Sequence, residues 1–257
     1  TDFHGGAIPV LGGILLDMSG MKQVSELDTK LWSVTVAPGV TYKELQDKLA
    51  KDNLRVQVPL MAPSNSSVLA SYLDREEVPG AGDFIYGNEM IQTFRMTLPS
   101  GEPFTIGNPA MPGAPHCHPM GPALNWWRLF MCGQGTMSVV NEMNLRLLPL
   151  PKEQKIFFSP FENMADGLKA IKRIQRQELG YECFLLNNFD LSCLILKESP
   201  DITDKLKDGT YVGPDGAPWW NHDMRHAFDP LRTKLPKWTL ITAVSGWARL
   251  PEEKVAY

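Results

Sequence analysis

The first clear pattern along the chain is alternation. In "SVTVAPGV", Ser33 to Val40, apolar and polar positions alternate and stop at a Pro-Gly pair, which predicts a half-buried strand ending in a turn. Upstream, "GILLDMS", Gly13 to Ser19, reads as a short buried strand. At Thr41 the period changes. Tyr42, Leu45 and Leu49 fall on one helical face, and Thr41 with Glu44 has the spacing of a capping box. From Val58 to Asn88 the periodicity fades into Pro, Ser, Asn and Gly, a long irregular connection of the kind compact domains keep for ligand loops and lids. "MIQTFRMTLPSGEPFTIG", from Met90, predicts a hairpin that turns at Pro99-Ser100-Gly101. Another Pro- and Gly-rich stretch, Asn108 to Pro122, leads to the aromatic segment "NWWRLFMCG".

"GQGTMSVVNEMNLRLLPLP", Gly133 to Pro151, joins two kinds of chemistry. Its front is a loop of small residues around Gly133 and Gly135; its back is a strand that stops at prolines. Glycine there permits either a close backbone approach to a ligand or a tight bend into an ordinary core strand, and the local pattern leaves both open. After Pro151 the style changes. Ser159, Pro160 and Glu162 predict a helix start, with Phe161, Met164, Leu168, Ile171 and Ile174 as its buried stripe and Gly180 as its stop. Glu162 and Asp166 early, and Lys169, Lys172, Arg173 and Arg176 late, suit the helix dipole. "CFLLNNFDLSCLIL" and "WTLITAVSGWA" read as strand-rich, separated by a Trp- and charge-rich excursion. The fold class expected is α+β, dominated by antiparallel strands, with a domain boundary near Pro151.

Composition narrows the function classes. The 257 residues are 43% hydrophobic and 21% charged, enough for a sizeable core. A net charge of -4 gives no basic footprint for nucleic acid. No apolar run reaches the ~18 residues of a membrane span. Cys117, Cys132, Cys183 and Cys193 form neither a close pair nor a zinc-knuckle spacing, so reduced thiols in a cytoplasmic protein are expected, with two disulfides as the other reading. There is no Walker loop, no serine-histidine-aspartate signature and no G-x-G-x-x-G after a strand.

Four pieces, taken together and in order, resemble the vanillyl-alcohol oxidase / p-cresol methylhydroxylase (PCMH-type) flavoprotein family. They are "TDFHGGAIP", "GGILLDMSGMKQVSELDTKLWSVTVAPGVTYKELQDKL", "YGNEMIQTFRMTLPSGEPFTIG" and "GTMSVVNEMNLRLLPLP". The resemblance implies an FAD-dependent oxidoreductase that takes hydride from a substrate C–H, in an alcohol, hydroxy acid or alkylphenol. Residues 1–151 are then the PCMH-type FAD-binding domain, second half, lacking its N-terminal βαβ part. Residues 152–257 are part of an α/β cap domain with an antiparallel sheet. By position, FAD is lined by Thr1 and Asp2, by Ser64, Asn65, Ser66 and Ser67, and by Gln134, Gly135, Thr136, Met137, Ser138, Val139 and Val140. Ser138 stands where the family usually has Gly, and Leu69-Ala70 where it has a Gly-Gly pair, so a side chain at either point narrows the flavin site. In the family the rest of the phosphate loop precedes Thr1 and the cap continues past Tyr257, so residues 1–257 alone are expected to bind FAD weakly or not at all. Implied partners are a small organic substrate and either a homo-oligomer or a partner redox subunit. The resemblance assigns no catalytic base.

The alternative is a non-catalytic subunit or binding module that keeps the scaffold without FAD. "HCH", His116 to His118, reads first as a solvated loop, with active-site lining and metal ligation as the other readings; no metal site is expected. His222 and His226 read as a surface pair, and Trp126-Trp127 and Trp219-Trp220 as core packing, with stacking on an aromatic substrate or cofactor ring as the other reading.

Overall fold

The structure, a computed structural model, describes residues 12, 14–60, 62–76, 90–113, 126–133, 135–177, 179, 182–197 and 228–246. Among these, the chain divides into two compact units that meet in sequence at Pro151 and Lys152.

In the first unit β1 (Val24–Asp28), β2 (Ser33–Val36), β4 (Ile91–Thr97), β5 (Pro103–Ile106) and β6 (Val139–Arg146) form one sheet in the order β1-β2-β6-β4-β5. Every pairing in it is antiparallel. Register sorts the side chains onto two faces, because residues directly opposite across a ladder share a face. Val34, Leu145 and Ile91 lie in one row, and Val36, Met143, Phe94 and Ile106 in the next. These are almost wholly buried and make the core. The opposite face carries Ser33, Thr35, Thr93, Asn144, Arg95 and Glu142. Asn144 Nδ2 donates to Thr35 Oγ1 at 3.0 Å across the ladder, and Arg95 pairs with Glu142 at 3.1 Å.

Helix α1 (Tyr42–Leu49) starts as its sequence predicts: the backbone N–H of Glu44 donates to the Thr41 hydroxyl, and the Thr41 N–H donates back to the Glu44 carboxylate at 3.0 Å. Tyr42, Leu45 and Leu49 pack into the core. The Lys22 ammonium, bonded at 2.8 Å, and then the Thr41 N–H and hydroxyl hold the Glu44 carboxyl at about 2, below its ordinary 4.5. A carboxylate held low in the fold contributes stability above its unfolded pKa and loses it as pH falls through the folded one. The stability difference between the wild-type chain and Glu44→Gln is therefore expected in full above about pH 5 and to fade toward pH 2. Urea midpoints across that range measure it, and a difference independent of pH would remove Glu44 from the cap.

Two expectations fail in this unit. Ile14, Leu15 and Leu16 form no strand, and they are 95%, 64% and 60% exposed. An isolated extended segment is held only by a neighbouring strand, and no described strand pairs with it. The stretch from Val58 is not all irregular either. It contains α2 (Val68–Leu73), a six-residue helix capped by Ser67, that buries Val68, Leu69 and Tyr72. The hairpin turns where predicted, with Gly101 at φ +85. The aromatic segment yields α3 (Trp127–Phe130), in which Trp127 is buried and Trp126 exposed. The proline stop of the motif is a separate piece, β7 (Leu148–Pro149), paired with β3 (Leu54–Arg55).

The second unit is a three-stranded antiparallel sheet, β8 (Glu153–Phe161), β10 (Trp238–Gly246) and β9 (Glu182–Asn187), with β10 central. Here the sequence expectations shift. Ser159 and Pro160 do not open a helix; they continue β8, where Pro160 lies opposite Thr239. Proline lacks an N–H, and an edge strand tolerates it. Helix α4 (Met164–Arg176) begins four residues later, capped by Asn163, whose side chain accepts from the Asp166 N–H at 3.0 Å. Its expected stripe is buried only in part: Ile171 and Ile174 are half-buried, Met164 and Leu168 are exposed, and Phe161 belongs to the strand. The helix meets the sheet at Gly167, where an added Cβ would lie 2.9 Å from Leu185 Cδ1. Close backbone approach replaces a wide apolar stripe. The second half of "CFLLNNFDLSCLIL" is α5 (Asn188–Lys197), because Asn187 Oδ1 accepts from the Asp190 N–H at 2.8 Å and starts a helix. A further helical segment spans 228–234. Leu186, Leu191 and Ile241 form the small core. Gly180, Trp219 and Trp220 lie outside the described residues.

Candidate functional site

Register brings the candidate stretches to one end of the first unit's sheet. β2 runs out past Val36 opposite Met143, so the turn Ala37–Thr41 lies toward the start of β6. β4 leaves at Thr97 opposite Val139, which places the hairpin turn and the entry to β6 at that same end. The Ser64–Ser67 stretch is tied there by backbone bonds.

Those bonds form the first wall. The N–H of Lys43 donates to Ser64 O at 2.9 Å and that of Tyr42 to Ser66 O at 3.1 Å. Thr41 and Ser67 form an isolated bridge, and the Val68 N–H donates to Val40 O at 3.0 Å. The Ser67 hydroxyl donates to Pro38 O at 2.5 Å and accepts the Ala70 N–H at 3.2 Å. Ser67 is thus spent on the fold, as N-cap of α2. Ser64 and Asn65 are the exposed members of the wall. Leu69, at a position where glycine was expected, is 3% exposed and turns into the core, while Ala70 is half-buried. The larger residue at 69 fills the unit rather than the exposed face of the wall.

The second wall is the loop before β6. Thr136 donates through its N–H at 2.9 Å and its hydroxyl at 2.6 Å to Gly133 O, which closes a tight turn. Gly135 takes φ +74, a region glycine enters freely, and a Cβ built there meets nothing within 4 Å. Among the described residues no neighbour requires the small residue; the backbone conformation does. Gly135, Thr136 and Met137 are exposed, Ser138 and Val139 half-buried, and Val140 is in the core opposite Met96. Thr1, Asp2, Gln134 and His116 to His118 lie outside the described residues, as do His222 and His226.

Sequence reasoning missed what connects the walls. Helix α2 starts from the first and, at its far end, accepts the Cys132 N–H on Leu73 O at 2.9 Å, one residue before the Gly133 turn. Tyr42 OH donates to Ser71 Oγ on α2 at 3.0 Å, and Ser71 Oγ donates to Glu76 Oε2. Burial pushes the Tyr42 phenol well up, only partly offset by its bond to Ser71, and burial does the same to Tyr72, whose hydroxyl donates to Gln57 O at 2.8 Å. Both remain protonated donors near neutral pH. No spacing signal in the chain announces these contacts.

Among the described residues no cluster of His, Cys, Asp and Glu could hold a metal, and no helix is long and apolar enough to cross a membrane. The polar groups of the two described stretches are instead neutral: peptide groups, hydroxyls and the Asn65 amide, with an open glycine in the second. That set fits the polar edges and sugar hydroxyls of a dinucleotide.

Comparison with known proteins agrees. The family profile described as FAD binding domain matches residues 1–107. The chain is 26% identical over 186 residues to the 4-cresol dehydrogenase (hydroxylating) flavoprotein subunit of Pseudomonas putida, covering 67% of this chain and 33% of that one. It is 25% identical over 176 residues to glycolate oxidase subunit GlcD of Escherichia coli (strain K12), covering 66% and 33%. The chain thus spans about a third of the length of these curated relatives. The fold matches a crystal structure of p-cresol methylhydroxylase with substrate bound, with a TM-score of 0.66 at 19% identity over 94% of this chain and 45% of that one. Residues 1–107 thus match an FAD binding domain, which makes FAD the cofactor, and the α+β fold of antiparallel sheets, with an open-glycine turn leading into β6, is similar to that of PCMH-type FAD-linked oxidoreductases.

Proposed function

We propose that the protein acts within the vanillyl-alcohol oxidase type of this family, taking hydride from a C–H of an alcohol, hydroxy acid or alkylphenol. The observation that carries the reading is the Gly133–Thr136 turn with its open Gly135, set at the entry to β6. When bound, FAD supplies a two-electron acceptor at its ring. The chain's own part would be to line FAD with the Ser64–Ser67 and Gly135–Val140 stretches, through peptide groups. Thr1, Asp2 and Gln134 complete the cofactor set by position. We read residues 1–151 as the cofactor-binding domain and 152–257 as part of the cap that selects the substrate. Names of relatives support the substrate range, one acting on 4-cresol and one on glycolate. The word subunit in both names supports a partner redox subunit or an oligomer. Cys132, Cys183 and Cys193 carry no disulfide, which supports a cytoplasmic location.

The test is the visible spectrum of the full-length protein, followed by anaerobic addition of 4-cresol, glycolate or D-lactate. Bleaching of the flavin band by one of them is the expected result. A colourless protein that takes up no added FAD would establish the rival reading, a scaffold that has given up the cofactor.

A further inference from the structure

We propose that α2 is a strut that sets the spacing of the two cofactor walls, and that Tyr42, through Ser71, is the positioning residue that locks it. This role rests on both walls lining FAD. The helix is short, and each end is spoken for: Ser67 anchors its start to Pro38 O, and Leu73 O receives the Cys132 N–H at its finish. Moving α2 along its axis therefore moves both walls. Its far joint is strained. Arg75 and Cys132, neither of them glycine, both stand at φ +56, where side chains crowd the backbone. A strained joint persists only when its surroundings hold it, and it will relax if the helix is free to slide.

Tyr42 supplies the hold. It is 2% exposed and touches the strut system twice. Its backbone N–H supports the first wall through Ser66 O, and its hydroxyl grips Ser71 one helical turn beyond the cap. Ser71 passes the hydrogen-bond chain to Glu76, beyond the last turn of the helix. The ring fixes where α1 lies and the hydroxyl fixes where α2 lies against it. The Tyr42 hydroxyl bonds to Ser71 on the helix, so losing that oxygen acts on the walls through α2.

The experiment uses the full-length protein. Tyr42→Phe keeps the ring in the core and removes one oxygen, so the apo protein should melt within a few degrees of wild type. The Kd for FAD is expected to rise roughly tenfold, with a shifted visible band for the flavin that still binds, since small misplacements of a preorganised site are costly. Ser71→Ala, which cuts the same link from the other side, should reproduce both changes and decides the matter should Tyr42→Phe fold poorly. Asn65→Trp, at the exposed rim of the first wall, tests the underlying reading separately. If Asn65→Trp weakens FAD while Tyr42→Phe and Ser71→Ala bind it with unchanged Kd and spectrum, the strut is refuted and the wall stands. If none of the three changes FAD binding, the wall reading falls and the strut with it.

Discussion

Phe94→Ala is expected to destabilise the protein by about 4 kcal/mol, as large-to-small changes of buried aromatics do. Phe94 is fully buried in the middle strand row, facing Met143 on one side and Ile106 on the other. Both neighbours sit in a ladder whose backbone cannot collapse into the vacated space without losing hydrogen bonds, so the cavity stays. Against the 5–15 kcal/mol that holds a typical domain, this is a large fraction. Phe104→Ala on the same hairpin is the matched control, because Phe104 is 36% exposed and only tilts against Phe130 at 6.1 Å. Urea unfolding at constant slope should separate the two variants by several-fold in ΔΔG. Equal costs would mean that the apolar row is not the core.

The second large effect belongs to Gly39→Val. A Cβ at residue 39 would stand 2.8 Å from Met21 O and nearer still to Ser19 O, both rigid backbone atoms. The Gly39 N–H donates to Met21 O at 2.8 Å, so any shift that relieves the clash also breaks this bond. Overpacking plus one lost backbone bond comes to about 3 kcal/mol. The damage should not stay local. Pro38 O holds the Ser67 hydroxyl and Val40 O holds the Val68 N–H, so the displaced turn carries the first wall with it. Weaker FAD binding by the full-length protein is expected alongside the lost stability. Gly20→Ala, where an added Cβ meets nothing within 4 Å, should leave both unchanged. Indistinguishable behaviour of the two variants would sink the claim.

What the sequence made readable follows from the range of the interactions involved. Thr41 and Glu44 cap α1 within three residues, and the Pro99–Gly101 hairpin closes within five, so both could be read locally. Pro160 could not. Its place in β8 depends on Thr239, far along the chain, and a Ser-Pro-x-Glu string looks the same before a helix or inside an edge strand. "LSCLIL" reads as strand because an unbroken apolar run has no period; the deciding cue is Asn187, a cap that also looks like a turn residue. α2 is only six residues long and follows a proline- and serine-rich run, so its pattern never spans two turns. The same division applies to the site. The glycine turn was visible as a motif, whereas the partners of Ser64, Ser66 and Ser67 are carbonyl and amide groups contributed by residues 38 to 43, and peptide groups carry no residue-type signature. The resemblance points to the stretch, but it is the folded backbone that engages the carbonyls of Ser64 and Ser66 and turns Leu69 inward.

The pairing of β2 with β6 has a consequence for how this protein is made. Val34 and Leu145 lie side by side in the ladder but about 110 residues apart in the chain, so β2 leaves the ribosome long before its inner neighbour exists. At 5–20 residues per second the delay is roughly 6–20 s, during which the polypeptide can form the capped α1 and the hairpin but cannot complete its central ladder. Through that interval Val34, Val36 and Phe94 present apolar surface that the finished sheet conceals. Nascent chains that end before Val139 should therefore engage holdase chaperones, and release from them should coincide with emergence of Val139–Arg146.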